Sequence, residues 1–406
     1  MKTKNKPNGW YTGIVHIWDL PQDEVYIDLK KEFKYRLLFG AKGKNPWSDF
    51  TKFHRIHQDI LLSYKYRQRV SLKIIWKLLK LANKKGIKIT KEEIEKNITK
   101  IGGHQRFIEN PNLPFKFNGP EGTKFIAAIL HDGGVRTRNS PFYSNYVISK
   151  RKEISTTANK IFGKIKVSFK TKSIEFPIIV GIILTRGIGL KRGNKVVSNP
   201  KIPEFIFGLE NKSISSYLRQ AYDDDGFVVK GKRNNHKMVG ITCNTGHISD
   251  PPKPNLLIDI KGLLDKLGVP TQRTIKKSKS KFSQKKNYLS QEWKLLITGL
   301  YSLSKFQKEV NFGLDYKNKN LTFIIKKLRK DSKKPQNPNN LSEKLALEVC
   351  RRKRVVDKYI LASETNFSPL WTRALLNKLV NKGYLQKLEK ANYNDPNRFI
   401  YKGDKN

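Results

Sequence analysis

The sequence predicts an α+β protein built around an internal repeat, with a small domain of three helices and a hairpin at its end. Two observations carry this. An apolar helical stretch ending in Asp-Gly occurs twice in matched register, and residues 341–406 run helix, helix, helix, hairpin. A third observation says what such a fold would serve: Lys plus Arg number 82 against 34 Asp plus Glu, a net charge of +48. Charge of that size repels itself unless a polyanion neutralises it, and nucleic acid is the expected partner.

Other classes fit poorly. No apolar run approaches the roughly 20 residues that a bilayer span needs. The N-terminus, MKTKNKPNGW, carries charge without the apolar core of a secretory signal. The expected location is cytoplasmic and nucleoid-associated, with no membrane partner. Two cysteines, Cys243 and Cys350, stand far apart without companions at ligand spacing, which argues against a zinc site or a disulfide scaffold.

Residues 1–56 mix strand-like pieces, Tyr11 to Ile17 and Glu24 to Ile27, with turn residues, and indicate no function. Residues 57–118 read as a basic helical subdomain, because Leu72, Ile75, Trp76, Leu78 and Leu79 recur at helical spacing among Lys and Arg. Thr90 followed by Glu93 forms a capping-box signal that opens a short helix toward Ile98.

Residues 119–330 hold the repeat. TKFIAAILHDGGV and SSYLRQAYDDDGFV align at Asp132-Gly133 and Asp225-Gly226, which sets Phe125 against Leu218, Ala128 against Ala221 and Leu130 against Asp223. This divides the block into copies at 119–208 and 209–330. In each copy a later apolar helix ends at a glycine before a strand resumes, in ANKIFGKIKVSF and GLLDKLGVPTQRT. A carboxylate at the C-terminal tip of a helix meets the negative end of the macrodipole, and two such tips side by side repel unless a cation lies between them. Hard divalent ions take carboxylate, phosphate and water oxygens, so Asp132 and Asp225 are expected to hold Mg²⁺ (or Mn²⁺) at a phosphodiester.

The segment RTIKKSKSKFSQKK reads as a solvated loop between strands. Its Arg273, Lys276, Lys277, Lys279 and Lys281 are expected to touch DNA, as are Arg136 and Arg138 after the first motif. The Pro- and Asn-rich residues 331–340 read as a linker. The order in 341–406 is that of a winged helix-turn-helix. Ser368 and Pro369 open the third helix, which would carry Arg373 into the major groove. Asn394, Asp395 and Pro396 turn the hairpin that would lie on the backbone.

The two motifs resemble those of the LAGLIDADG homing endonucleases, including the domains carried inside inteins and archaeal introns. The resemblance extends over about half the chain. It includes NPKIPEFIFG, with Ile202, Pro203 and Glu204, before the second motif. After that motif, Trp293, Phe306, Lys308, Phe312 and Lys317 look like the family's closing helices.

The resemblance implies a monomer with internal pseudo-two-fold symmetry, made of tandem αββαββα halves. Their motif helices would pack at the centre, and their two antiparallel sheets would straddle the major groove of double-stranded DNA. It implies Asp132 and Asp225 as the metal-binding catalytic acids, and Lys195 and Lys232 as the basic residues that polarise water.

Two positions depart from the pattern. His131 stands where a small residue is usual, and Gln220, facing Ala127, stands where Gly or Ala is usual. The expected function is a site-specific double-strand DNA endonuclease. A catalytically silent DNA-binding regulator or an RNA maturase on the same scaffold is the alternative. An intein is not expected, because the chain starts at Met1 without a nucleophile and ends in KGDKN.

Overall fold

The computed structural model describes residues 6–66, 69–103, 106–231, 237–283, 288–331, 341–365, 367, 369–388 and 396–403. They divide into two compact units, Met1–Asp224 and Asp225–Asn406.

The first unit begins with α1 (Gly9–Thr12), β1 (Ile14–Val15) and β2 (Tyr26–Leu29). A helical run follows: α2 (Lys31–Lys42), α3 (Trp47–His54) and α4 (Gln58–Tyr66), then β3 (Val70–Ser71) and α5 (Leu72–Lys84). The module closes with α6 (Lys91–Lys96), β4 (Ile98–Gly102), β5 (Phe107–Glu109) and β6 (Phe115–Lys116), which pairs with β1. Helix α5 buries Leu72, Ile75, Trp76, Leu78 and Leu79, as the spacing requires, and α6 opens on the Thr90–Glu93 capping box. The division expected after residue 56 is not followed. Buried Ile27 of β2 lies between Val70 of β3 and Ile101 of β4, so the segments 1–56 and 57–118 share one apolar sheet.

The first repeat runs α7 (Pro120–Leu130), β7 (Gly133–Val135), β8 (Pro141–Ser144) and α8 (Ile148–Phe162). It continues as β9 (Lys164–Ile165), β10 (Ser168–Phe169), β11 (Ser173–Glu175) and α9 (Ile178–Ile182). Its antiparallel sheet has the order β10-β11-β8-β7. Strand β9 departs from it and pairs with β5, completing a five-stranded sheet, β3-β2-β4-β5-β9. Helix α10 (Lys195–Ser198) and a 3₁₀ turn, Glu204–Gly208, lead to α11 (Asn211–Asp225), where the unit ends.

The second unit continues with β12 (Gly226–Lys230), β13 (Lys237–His247), α12 (Asn255–Lys266), β14 (Lys276–Ser283), β15 (Tyr288–Thr298), α13 (Leu300–Glu309) and α14 (Asp315–Asp331). Its antiparallel sheet has the order β12-β13-β15-β14. That is the order of the first sheet, position for position: in each, the second strands of two hairpins lie side by side at the centre. The duplication read from two Asp-Gly motifs is therefore a duplication of topology.

Two local expectations are corrected. Residues 276–283 are an edge strand, β14, and not a loop. One side of an edge strand faces water, so lysines are tolerated there, and they also discourage pairing with another chain. Trp293 belongs to β15 and not to a helix; it is buried, and its Nε1 donates to Thr245 Oγ1 at 2.8 Å.

The chain ends with α15 (Leu341–Lys353), β16 (Val355–Asp357), α16 (Lys358–Thr365), α17 (Pro369–Asn381), β17 (Leu385–Lys387) and β18 (Arg398–Tyr401). Its sheet has the antiparallel order β16-β18-β17. Buried Ala346, Cys350, Val356, Leu361, Leu376 and Phe399 belong to one core. The second of the three expected helices is preceded by a short strand that begins at Val355. Val355 pairs with Ile400, and the carboxylate of Asp357 then accepts the N–H groups of Tyr359 and Ile360 and caps α16. Most of the expected linker, 332–340, lies outside the described residues, as do Ser368, Asn394 and Asp395. Among the described residues no helix is long and apolar enough to cross a membrane.

Candidate active site

Helix α7 starts with Pro at its first position and buries every residue from Phe125 to Leu130, so it is an interior helix. Helix α11 lies against it. Thr123 Oγ1 donates to the Ser213 carbonyl at 2.8 Å, and Ser216 Oγ donates to the Pro120 carbonyl at 2.7 Å. Such side-chain-to-backbone bonds need close helices, and buried Ala127, Ala128 and Ala221 supply the small surfaces that allow it. His131, beyond the tip of α7, is accommodated because its ring meets Tyr217 of α11 edge-on, with centroids 6.1 Å apart. Its Nε2 lies 3.4 Å from the Tyr217 hydroxyl.

Asp132 follows, half-buried. Its Oδ2 accepts from Asn145 Nδ2 at 3.1 Å, and the same amide donates to the Tyr143 hydroxyl oxygen at 3.3 Å. Tyr143 points inward from β8 and donates to Asp224 Oδ1 at 2.7 Å. Gln220 Nε2 donates to both Asp224 oxygens, at 2.9 and 3.0 Å, and to Tyr143 at 3.2 Å. A continuous hydrogen-bonded chain thus joins the acid of the first motif to an acid of the second. Burial, reinforced by the carboxylates of Asp224 and Asp132, holds the Tyr143 phenol far above its ordinary range, so it remains a donor.

This network accounts for Gln220 at a position where a small residue was expected. Its side chain turns one helical turn onward to Asp224, and the alanines make the helix contact. Its Oε1 is buried and has no partner among the described residues.

Asp223, which aligns with Leu130 of the first motif, is buried at 2% exposure and ion-paired with Lys150 of α8 at 2.6 Å. Lys150 also meets Glu153 at 3.0 Å. Burial alone would lower the Lys150 pKa, but the Asp223 and Glu153 carboxylates outweigh it and hold the ammonium above the ordinary lysine range. Asp223 is therefore an anchor between α11 and α8.

Lys195 sits at the tip of α7. Its Nζ donates to the Leu130 carbonyl at 3.0 Å and to that of His131, at the negative end of α7 and one residue from Asp132. In the second unit, Asp225 is half-buried and its carbonyl lies 3.5 Å from Thr242 Oγ1. Buried Lys317 donates to the next carbonyl, that of Gly226, at 2.7 Å. Lys317 thus meets the carbonyl just after Asp225, whereas Lys195 meets the two just before Asp132. Lys232, the basic residue expected beside the second acid, lies outside the described residues.

Of the residues expected to meet DNA, Arg136 is paired with Glu175 at 3.0 Å and lies over the Phe142 ring. Arg138, Arg273, Lys276 and Lys277 are exposed, and Arg373 is exposed on α17. The side chains of Lys279 and Lys281 lie outside the described residues.

Among the described residues no group of three or more His, Cys, Asp or Glu side chains is gathered as a metal site.

No family model matches the chain. A glutamine–fructose-6-phosphate aminotransferase of Methanocaldococcus jannaschii is 29% identical over 131 residues, which cover 32% of this chain and 10% of that protein. The chain thus matches about a tenth of the length of this curated relative.

Proposed function

We propose that the chain is a site-specific double-strand DNA endonuclease of the LAGLIDADG type, ending in a winged helix-turn-helix. The observation that supports this most is the repeated topology. Each motif helix is followed by hairpin, helix, hairpin and helix, and the sheets share one strand order, as two αββαββα halves would. The order α15-β16-α16-α17-β17-β18 suits a winged helix, with Arg373 on the helix that would enter the major groove. The net charge of +48 suits a phosphate backbone.

On this reading Asp132 and Asp225 are the acids that would bind Mg²⁺ or Mn²⁺, and Asp224 is joined to Asp132 through Tyr143 and Asn145. When bound, the ion activates a water and stabilises the leaving oxygen. The chain's own groups prepare the acids. Asn145 orients Asp132, while Tyr143 and Gln220 fix the oxygens of Asp224. Lys195 offsets negative potential at the carbonyl end of α7, and Lys317 binds the carbonyl of Gly226 just beyond α11. The working form is a monomer with internal pseudo-symmetry, acting on chromosomal DNA in the cytoplasm.

The test is selection of cleaved sites from a random duplex library with Mg²⁺, with Asp132→Asn and Asp225→Asn as controls. One enriched site that neither variant cuts is the expected result. One observation favours the silent regulator: both Asp224 oxygens already accept bonds from Gln220. Sequence-specific binding that persists in both variants, with no site ever cut by the parent chain, would establish that reading instead.

A further inference from the structure

The helical run of the first unit carries a surface that the cleavage reading does not use. Between residues 31 and 90 there are sixteen Lys or Arg against three acids, Glu32, Asp49 and Asp59. Through this basic ground runs a row of rings. Tyr35 meets Phe39, Phe39 meets Trp47 and Trp47 meets Phe50, with centroids 6.0, 6.0 and 6.1 Å apart. The row ends with Phe50 and Phe53, each edge-on to His54, at 4.9 and 4.8 Å.

Phe50 is fully buried and anchors the row, but Phe53 is 82% exposed and Phe39 46%. An apolar ring so exposed forgoes most of the stabilisation that burial would give it. Ammonium groups lie over other rings of the row. Lys42 lies over Trp47 at 5.4 Å, Lys85 over Phe50 at 5.9 Å and Lys65 over Phe39 at 5.9 Å. Lys77 donates to the His54 carbonyl. Lys84 is exposed close by, and burial together with Lys77, Lys85 and Lys84 depresses the protonation of His54.

A protein partner with an apolar face would pair badly with so many cations. A duplex would offer the cations its phosphates but would keep its base faces stacked. Unpaired DNA offers both a phosphate chain and free base faces, the combination that aromatic-and-lysine platforms hold. We infer that the α2–α5 surface is a binding platform for single-stranded DNA, with Phe53 stacking on a base and Lys84 and Lys85 neutralising phosphates.

The test uses the full chain without divalent metal, and reads the fluorescence anisotropy of labelled oligo-dT and of a duplex across a salt series. Phe53 is exposed, so Phe53→Ala should fold as the parent does. It should weaken oligo-dT binding about tenfold, as loss of one stacked base does, and change duplex binding less than about twofold. Phe53→Trp should restore the affinity. Lys84→Gln with Lys85→Gln should lower the salt slope for oligo-dT by about 0.7 per lysine. Equal losses on both DNAs, no loss from Phe53→Ala, or tighter binding of an RNA of equivalent sequence would overturn the inference. Metal-free binding is read without cleavage, so the outcome stands apart from the nuclease proposal.

Discussion

Lys150 of α8 and Asp223 of α11 form an ion pair at 2.6 Å, with both side chains almost completely buried. Removing one partner leaves an uncompensated charge in the interior. Lys150→Met should cost about 3–5 kcal/mol in chemical denaturation, and adding Asp223→Leu should recover most of it. The pH dependence has a definite sign. The folded-state pKa of Lys150 is raised, so its contribution is complete below the ordinary lysine value and fades as pH climbs through the folded one. The parent should lose stability in that alkaline window, and the double variant should not.

Tyr143→Phe removes the hydroxyl that joins Asn145 to Asp224 while keeping the ring. A stability loss of about 1–2 kcal/mol is expected from the donor taken from a half-buried carboxylate. If Asp224 helps form the reacting centre, cleavage should fall much further than folding does. Single-turnover rates beside urea midpoints separate the two effects, and a rate loss no larger than the stability loss would remove Tyr143 from the site.

Arg373→Ala alters an exposed side chain of α17 and should leave the melting temperature unchanged. Under the winged-helix reading, it should weaken binding to the selected duplex by about 1–3 kcal/mol if Arg373 reads a base, or reduce the salt slope by about one if it holds a phosphate. Titration at several salt concentrations distinguishes these outcomes. No change in either would place the DNA away from α17.

Glu343 ties α15 to Lys378 of α17 at 2.6 Å and to Lys382 just beyond that helix at 2.5 Å. Burial raises its pKa, but the bonds from the two lysines outweigh this and hold it below the ordinary carboxylate value. Its contribution is therefore present above the unfolded-state value and lost as pH falls through the folded one. Acid should loosen the C-terminal domain, and Glu343→Gln should already show that loss at neutral pH. Near-ultraviolet circular dichroism of the Trp371 environment during an acid titration checks it.

The parts of this architecture written in local pattern were legible in the sequence. The helical spacing of Leu72 to Leu79, the Thr90–Glu93 cap and each Asp-Gly motif taken singly are carried by residues only a few positions apart. The site's connections were not legible, because they join residues far apart in the chain: Tyr143 to Asp224, Lys150 to Asp223 and Lys317 to Gly226. One clue was overlooked. Gln220 and Asp224 stand four apart, a spacing at which helix side chains meet. Strand β14 was misread because its lysines signal solvent, and an edge strand meets solvent as a loop does.

Strand β9 has a consequence for how the molecule is made. It is encoded after α7, β7, β8 and α8, yet it pairs with Ile108 and Glu109 of β5 at the margin of the N-terminal sheet. As the polypeptide leaves the ribosome, that sheet has an open margin until Ile165 emerges, by which time the first motif helix has already been synthesised. A fragment ending near residue 118 would keep this margin bare and ready to pair with neighbouring copies. The N-terminal module and the first acid-bearing helix should therefore mature together and resist separation by proteolysis.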